Sequence, residues 1–171
     1  AERGSRLSQR APADQFLSVQ GNLATSYHAL GKSAQALQMD RDVYFGLLSL
    51  HGGEHRETLS TAFNYANTLN AMRRFEEAKS LLCRSIPAAR RALGESHEVT
   101  LRMRWNYAGA LVMADNATLD DLHEAVATFE EIKGTARRVL GGTHPLTAGI
   151  EDALRKSQAA LRARETPASS A

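Results

Sequence analysis

The stretch that decides the fold is Asn64-Tyr65-Ala66, because near copies of it recur at a fixed distance along the chain. The copies are Asn22-Leu23-Ala24 and Asn106-Tyr107-Ala108, so both intervals are 42 residues. A Gly-x-x-His motif follows each copy, beginning at residues 52, 94 and 141, at intervals of 42 and then 47 residues. Two different motifs that recur at the same 42-residue interval indicate an internal repeat. The longer last interval indicates an insertion in the third unit, which we place at 115–121.

Within each unit the apolar residues follow the period of an α-helix. In the second unit, apolar side chains from Leu59 to Met72 are spaced three and four residues apart, which places them on one helical face. After a break at 73–74, a second stripe runs from Phe75 to Leu93. This pattern predicts two helices in each unit. Because proline lacks a backbone N–H, we expect Pro87 to kink the second helix of unit two or to start a new segment there. The seven predicted helices span about 14–30, 33–50, 57–72, 75–93, 98–114, 121–140 and 145–164.

The last predicted helix differs from its relatives. Arg155 occupies the column that holds Ala24, Ala66 and Ala108 in the earlier units. A small residue is needed there when a second helix packs closely, and no second helix follows. We therefore predict an all-α fold, a solenoid of stacked antiparallel helix pairs that ends in a C-terminal capping helix. The predicted organisation is a flexible segment at 1–13, an array at 14–164 (units 14–55, 56–97 and 98–144, capping helix 145–164) and a flexible tail at 165–171.

Composition limits the function classes. The chain has 171 residues, of which 43% are hydrophobic and 23% charged, so it can bury a core and form one domain. Its formal net charge of +2 is a small excess on a balanced surface and does not by itself indicate nucleic acid. The single cysteine, Cys83, excludes an internal disulfide and a zinc site built from several cysteines.

No apolar run is long enough to cross a bilayer, so we predict no membrane insertion. A cytoplasmic location is the expectation. The chain begins with Ala1 and not with Met, and an organelle-targeted or trimmed form therefore remains open.

The repeat residues resemble the tetratricopeptide repeat (TPR) in its long, 42-residue form, which is typical of kinesin light chains and nephrocystin-like proteins. The similarity is greatest at 74–78 (Arg-Phe-Glu-Glu-Ala) and at 141–147 (Gly-Gly-Thr-His-Pro-Leu-Thr), and it covers about 14–164. It implies three TPR units plus the capping helix. Units one and two depart from the family pattern, because Arg56 and Glu98 stand where a proline is expected after the turn histidine. Coiled-coil heptads of the kind that join a kinesin light chain to its motor are not seen, so only the fold and the general role are inferred.

In the resembled family the first helices of the repeats line a concave groove, and the asparagine column contacts the backbone of an extended bound peptide. An amide suits this task, since it can donate to a peptide carbonyl and accept from a peptide N–H. Asparagines also lie on the same helical face one turn away, and the next first helix adds a guanidinium for a ligand carboxylate and an indole for an apolar pocket. The indole could equally belong to the core. The predicted groove residues are Asn22, Asn64, Asn67, Asn70, Arg102, Trp105 and Asn106.

No catalytic, metal or cofactor site is predicted. The turn histidines His55, His97 and His144 occupy equivalent places in successive units, at least one helix spacing apart, so they cannot share an ion. We interpret them as turn and helix-start residues, and we predict no convergent partners for His28, His51 and His123. Cys83 has apolar neighbours, which favours a small buried or half-buried residue over a nucleophile.

The arginine pairs at 73–74, 90–91 and 137–138 alternate with acidic residues, which favours a solvated surface over RNA binding. RNA-reading repeats need a recurring code position and stacking aromatics. A small-molecule substrate is likewise not expected.

The sequence thus predicts a non-catalytic module that binds an extended peptide or partner protein in the concave TPR groove. One alternative stays open. The chain could be a structural or assembly subunit of a larger complex that uses its outer faces and the 115–121 loop.

Overall fold

The computed structural model describes the backbone of residues 2–166 and, within that range, the side chains of residue 13 and residues 15–166. This part of the chain contains seven α-helices and no strand. The helices are α1 (Glu2–Ala29), α2 (Ser33–His51), α3 (Arg56–Ala71), α4 (Phe75–Leu93), α5 (Glu98–Met113), α6 (Leu119–Leu140) and α7 (Pro145–Glu165).

Six of the seven helices agree with the predicted bounds to within two residues at each end. The exception is α1, which begins at Glu2 and therefore includes the backbone of the predicted N-terminal segment. The flexibility of that segment stays a prediction. At the other end, α7 includes Glu165, and residues 167–171 of the predicted tail lie outside the described residues.

The helices pack in successive antiparallel pairs, each against the next along the chain, as the solenoid prediction required. In addition, α3 lies against α5, and α5 lies against α7. The first helices of neighbouring units therefore share one face of the stack. The repeat alanines explain the close approach, because Ala24, Ala66 and Ala108 are fully buried, as are Ala36 and Ala78. Any larger side chain in these columns would have to displace a neighbouring helix.

The capping helix buries one stripe and exposes the rest. Ile150 and Leu154 are buried in a core cluster that α5, α6 and α7 share. Arg155, which replaces the column alanine, is exposed and pairs with Asp152 at 2.9 Å. A helix that buries a single apolar stripe and has a polar outer side resembles the end helix of a repeat stack.

The turns between units adopt one recurring backbone conformation. Gly52, Gly94 and Gly141 follow α2, α4 and α6 with φ of 84°, 95° and 90°, a region that only glycine enters without steric cost. Within the units, Gly31 takes φ 70° and Arg73 takes φ 59° at the equivalent place. Because Arg73 has a Cβ, its turn carries a cost of about 1–2 kcal/mol.

The insertion of the third unit is packed into the stack. Ala114 and Ala117 are buried against Phe75 and Ala110, and the Arg164 side chain of α7 donates to the Ala117 carbonyl. The segment therefore connects α4, α5 and α7.

Two expectations about α4 can be compared with the structure. The helix runs without a break from Phe75 to Leu93, so no new segment begins at Pro87, and a kink there stays a prediction. Cys83 is exposed, and the prediction of a buried or half-buried thiol is wrong. Its apolar neighbours Leu81 and Leu82 are buried in the core, whereas Cys83 is exposed and interacts with the Tyr107 side chain of α5.

No helix within residues 2–166 combines the length and apolar character that crossing a membrane requires.

Candidate functional site

A cleft of about 350 Å³ lies between α3 and α5, on the face shared by the first helices. We call it the α3–α5 cleft. It brings together two of the predicted groove residues, Asn64 and Arg102, which are 38 positions apart in the sequence. The lining residues are Arg56, Ser60, Phe63, Asn64, His97, Glu98, Val99 and Arg102.

Helical geometry builds the charged side of the cleft. Glu98 and Arg102 are one turn apart on α5, and Arg102 donates to Glu98 Oε1 from Nε at 2.8 Å and from Nη2 at 2.6 Å. This hydrogen bond holds the pKa of the Glu98 carboxyl below its ordinary value. The guanidinium also lies 5.8 Å from the centre of the Phe63 ring, within the range of a cation–π contact. Arg102 is thus oriented by an acid on its own helix and an aromatic ring on α3.

Asn64 supplies the uncharged polar group of the cleft. Its side chain is exposed. Asn67, one turn along the same helix, is also exposed. Both amides can therefore reach a ligand without breaking a buried contact.

Asn70 and Asn106 take a different position, at the packed contact of α3 with α5. The Asn70 amide donates to the backbone carbonyl of Asn106 at 3.0 Å. Asn70 Oδ1 and Asn106 Nδ2 are buried, and neither atom has a hydrogen-bond partner among the described residues. These two residues join the helices that form the cleft. Their contact with a ligand stays a prediction.

Trp105 lies outside the α3–α5 cleft, beside α7. It is half-buried against the cluster that includes Ile150, and a Cβ added at Gly149 would meet its ring at 3.1 Å. The absence of a side chain at Gly149 lets the indole lie on the backbone of α7. Of the two roles that the sequence left open for this residue, the packing role fits its surroundings better.

Asn22 is exposed on α1, which packs against α2. The cleft does not include it. The predicted residues thus fall into a cleft pair (Asn64 and Arg102), a helix-contact pair (Asn70 and Asn106) and three separate positions (Asn22, Asn67 and Trp105).

Sequence reasoning missed the apolar and basic part of the cleft. Arg56, Ser60 and Phe63 precede Asn64 on α3 at helical steps. Extending the asparagine stripe by two turns toward the start of α3 would have found them.

A buried polar cluster joins α1, α2 and α3. Asp40 is 3% exposed, and its Oδ2 accepts from Thr68 Oγ1 at 2.6 Å and lies 2.9 Å from His28 Nε2. The same three residue types serve nucleophilic catalysis in other proteins. Here one ring nitrogen faces both partners, with Thr68 Oγ1 at 2.8 Å, and Thr68 is fully buried. A substrate cannot reach the hydroxyl, so the cluster fastens the helices together.

The turn histidines divide into two kinds. His97 Nδ1 accepts from the backbone N–H of Val99, and His144 Nδ1 accepts from that of Leu146, both at 3.2 Å. His55 makes no such side-chain cap. Its ring instead stacks on His51, with centroids 4.4 Å apart, so the prediction that His51 has no convergent partner is wrong. The contact spans a turn whose conformation the sequence alone did not reveal.

Comparison with known proteins agrees with this architecture. Residues 15–91 match the family model described as the tetratricopeptide repeat. The same segment forms two helix pairs, and the third unit continues their packing. Residues 15–91 are thus similar to tetratricopeptide repeats, and the fold of the chain is that of a TPR solenoid. No curated protein sequence matches it.

Solved structures of TPR-like repeats share the fold of this chain. The TPR-like repeats of a putative kinesin light chain from Podosopora anserina superpose with a TM-score of 0.67 at 23% identity, over 87% of this chain and 69% of that one. A glutamine-to-methionine variant of those repeats gives 0.69 at 23% identity, over 87% and 68%. BtubC (BKLC) from P. vanneervenii gives 0.53 at 16% identity, over 93% and 70%.

Proposed function

We propose that this TPR chain is a non-catalytic interaction module that binds an extended segment of a partner protein in the α3–α5 cleft. Tetratricopeptide repeats are typically scaffolds for protein interactions. The observation that carries the proposal is the placement of Asn64 in one cleft with Arg102, beside the Phe63 ring.

The exposed amides supply recognition that does not depend on the ligand's side chains. A peptide in extended form presents alternating N–H and C=O groups, and an asparagine can satisfy one of each. Asn64 and Asn67 are spaced three residues apart on α3, so both lie on one side of the helix.

The charged groups favour a ligand with an acidic side chain. Arg56 and Arg102 line the cleft, and Glu98 is the one acidic residue among its lining residues. A guanidinium has five N–H donors, and Glu98 accepts from Nε and Nη2. A ligand carboxylate can therefore bind beside Glu98 without displacing it.

Rigidity supports affinity. The two walls of the cleft are joined by the hydrogen bond from the Asn70 amide to the Asn106 carbonyl. A groove that is already formed does not lose conformational entropy on binding, so the ordering cost falls on the peptide alone.

The experiment uses a peptide selected on the intact chain from a displayed random library. Binding of that peptide, labelled with a fluorophore, is compared between the wild type and the double variant Asn64→Ala/Asn67→Ala. Loss of two hydrogen bonds worth about 0.5–1.5 kcal/mol each predicts at least a fivefold rise in Kd.

The matched control is Gln35→Ala/Gln38→Ala. It removes two exposed amides with the same spacing from α2, away from the cleft. We expect it to leave Kd unchanged. Equal affinity of the asparagine double variant and the wild type would contradict the proposal.

The alternative function, a structural subunit of a larger complex, is supported by an exposed apolar surface on α1. Phe16, Val19 and Leu23 on α1 are 62%, 65% and 42% exposed, at the end of the stack opposite the capping helix. Large exposed apolar side chains are often covered by another protein. Selected peptides whose binding is lost in Phe16→Ser/Val19→Ser, and not in the asparagine variant, would favour this function.

A further inference from the structure

The corner between units one and two holds three potential metal ligands. His51 ends α2, His55 precedes α3, and Glu57 lies in the first turn of α3. Each offers one ligand atom, and these atoms all lie within 4.8 Å of one another. His51 is half-buried, and the other two residues are exposed. We call this group the His51–His55–Glu57 corner.

The later units have the same turn without the same ligands. At the two corresponding corners the turn histidine is kept, and the other two positions are apolar. Those positions hold Leu93 and Val99 in unit two, and Leu140 and Leu146 in unit three. There they pack against the core clusters. Ligand residues thus occupy these two positions at one corner only, although the same turn packs apolar residues there in the other two units.

The His55 ring is also turned differently on the same backbone. His55 has φ −69° and ψ 137°, and His97 has φ −68° and ψ 138°. Nevertheless the His97 ring accepts a backbone N–H, whereas the His55 ring faces His51 at a centroid distance of 4.4 Å with 24° between the ring planes. The ring nitrogens of His55 are thus not used to cap α3.

The charged neighbours Glu54 and Arg56 lie in other contacts. Glu54, in the turn itself, pairs with Arg91 of α4 at 2.8 Å. Arg56 lines the α3–α5 cleft, on another side of the helix start.

We propose that the His51–His55–Glu57 corner binds a zinc ion. Two imidazoles and a carboxylate are ligands that zinc accepts, with bonds of about 2.0–2.2 Å. Tetrahedral coordination brings ligand atoms to about 3.4 Å from one another, and rotation of the two exposed side chains provides that contraction. Magnesium and calcium prefer oxygen ligands and are therefore disfavoured.

The bound ion would join the end of α2 to the start of α3. It would replace, at this corner, the apolar contact that the later units make. Three protein ligands leave a fourth coordination position of zinc open, and this position faces solvent beside the exposed residues His55 and Glu57. The inference does not depend on the α3–α5 cleft.

Titration of the intact chain with zinc chloride tests the site. We expect one ion per chain by calorimetry, and a melting temperature that rises with zinc concentration, because a ligand of the folded state stabilises it by mass action. Cobalt(II) in place of zinc should give the intense visible absorption of tetrahedral coordination. Magnesium chloride should produce neither effect.

The decisive variant is His51→Leu/Glu57→Val, which gives corner one the residues of unit two and so preserves an apolar packing that the fold already uses. We expect it to fold and to lose at least tenfold in zinc affinity. Cys83→Ser and His123→Gln remove exposed zinc-binding groups elsewhere and should bind zinc as the wild type does. No stoichiometric binding at millimolar zinc, or equal binding by the double variant, would overturn the proposal.

Discussion

Thr68 and Thr100 are both fully buried threonines on first helices, yet their hydroxyls have different surroundings. Thr68 Oγ1 donates to the buried Asp40 carboxylate at 2.6 Å. Thr100 Oγ1 is buried without a hydrogen-bond partner among the described residues, as are the equivalent atoms of Thr58 and Thr147. A buried hydroxyl stabilises a fold only when it is hydrogen-bonded. The two residues therefore give opposite expectations for the same substitution.

Thr68→Val should lower the free energy of unfolding by about 1–3 kcal/mol, because Asp40 loses a donor while staying buried. Thr100→Val, which removes a hydroxyl without a partner, should be neutral or stabilising. Urea unfolding followed by circular dichroism measures both. Equal destabilisation by the two variants would show that the Asp40 contact contributes nothing specific.

The start of α6 shows how an element is defined by its cap. Thr118 Oγ1 accepts from the Asp121 backbone N–H at 3.1 Å, and the Asp121 carboxylate accepts from the Thr118 N–H at 2.8 Å. It also accepts from the Thr118 hydroxyl at 2.6 Å. The hydroxyl bond, and then the backbone bond, hold the Asp121 pKa below its ordinary value of 3.8. Helix α6 thus begins within the 115–121 segment, and the capping box satisfies the backbone N–H groups of Thr118 and Asp121.

Thr118→Ala should lower the free energy of unfolding by about 1 kcal/mol at neutral pH. The Asp121 pKa is depressed in the folded state, so its stabilisation is fully present above the unfolded pKa and is lost as pH falls through the folded pKa. The difference between wild type and variant should therefore shrink below about pH 4. Denaturant unfolding from neutral pH down to about pH 2.5 measures this, and a constant difference would contradict the assigned role.

At the scale of the whole molecule, the stack has two main cores. One cluster joins α2 to α5 and the other joins α5 to α7. Because each unit touches only its neighbours, stability in such a stack is a sum of local and nearest-neighbour contributions. The chain's one tryptophan, Trp105, lies at the contact of α5 with α7 and reports on the capping helix.

Ile150→Ala removes a fully buried side chain of α7 and should cost about 2–5 kcal/mol. We expect the loss to be local, so the urea midpoint seen by Trp105 fluorescence should fall further than the midpoint seen by circular dichroism. Val139→Ala, at a side chain that is 48% exposed, is the control and should change both midpoints little. Coincident shifts of the two probes in Ile150→Ala would show that the stack unfolds as a single unit.

The sequence by itself determined the repeat, the helices and the buried columns. The 42-residue interval and the helical apolar period are local regularities, and α2 to α7 accordingly lie within two residues of their predicted bounds. The columns of Ala24, Ala66 and Ala108 were predicted as close contacts, and all three are fully buried. In a repeat protein such buried positions can be predicted from the sequence, because each unit packs against the next in the same way.

The tertiary structure alone decided which side chains meet. It placed the Asn70 amide on Asn106, the Trp105 indole on Gly149, and the His55 ring on His51. It also turned Cys83 to the surface. A helical period assigns a residue to a face, but a contact between helices depends on their crossing and on side-chain rotamers, which neighbours remote in sequence set together.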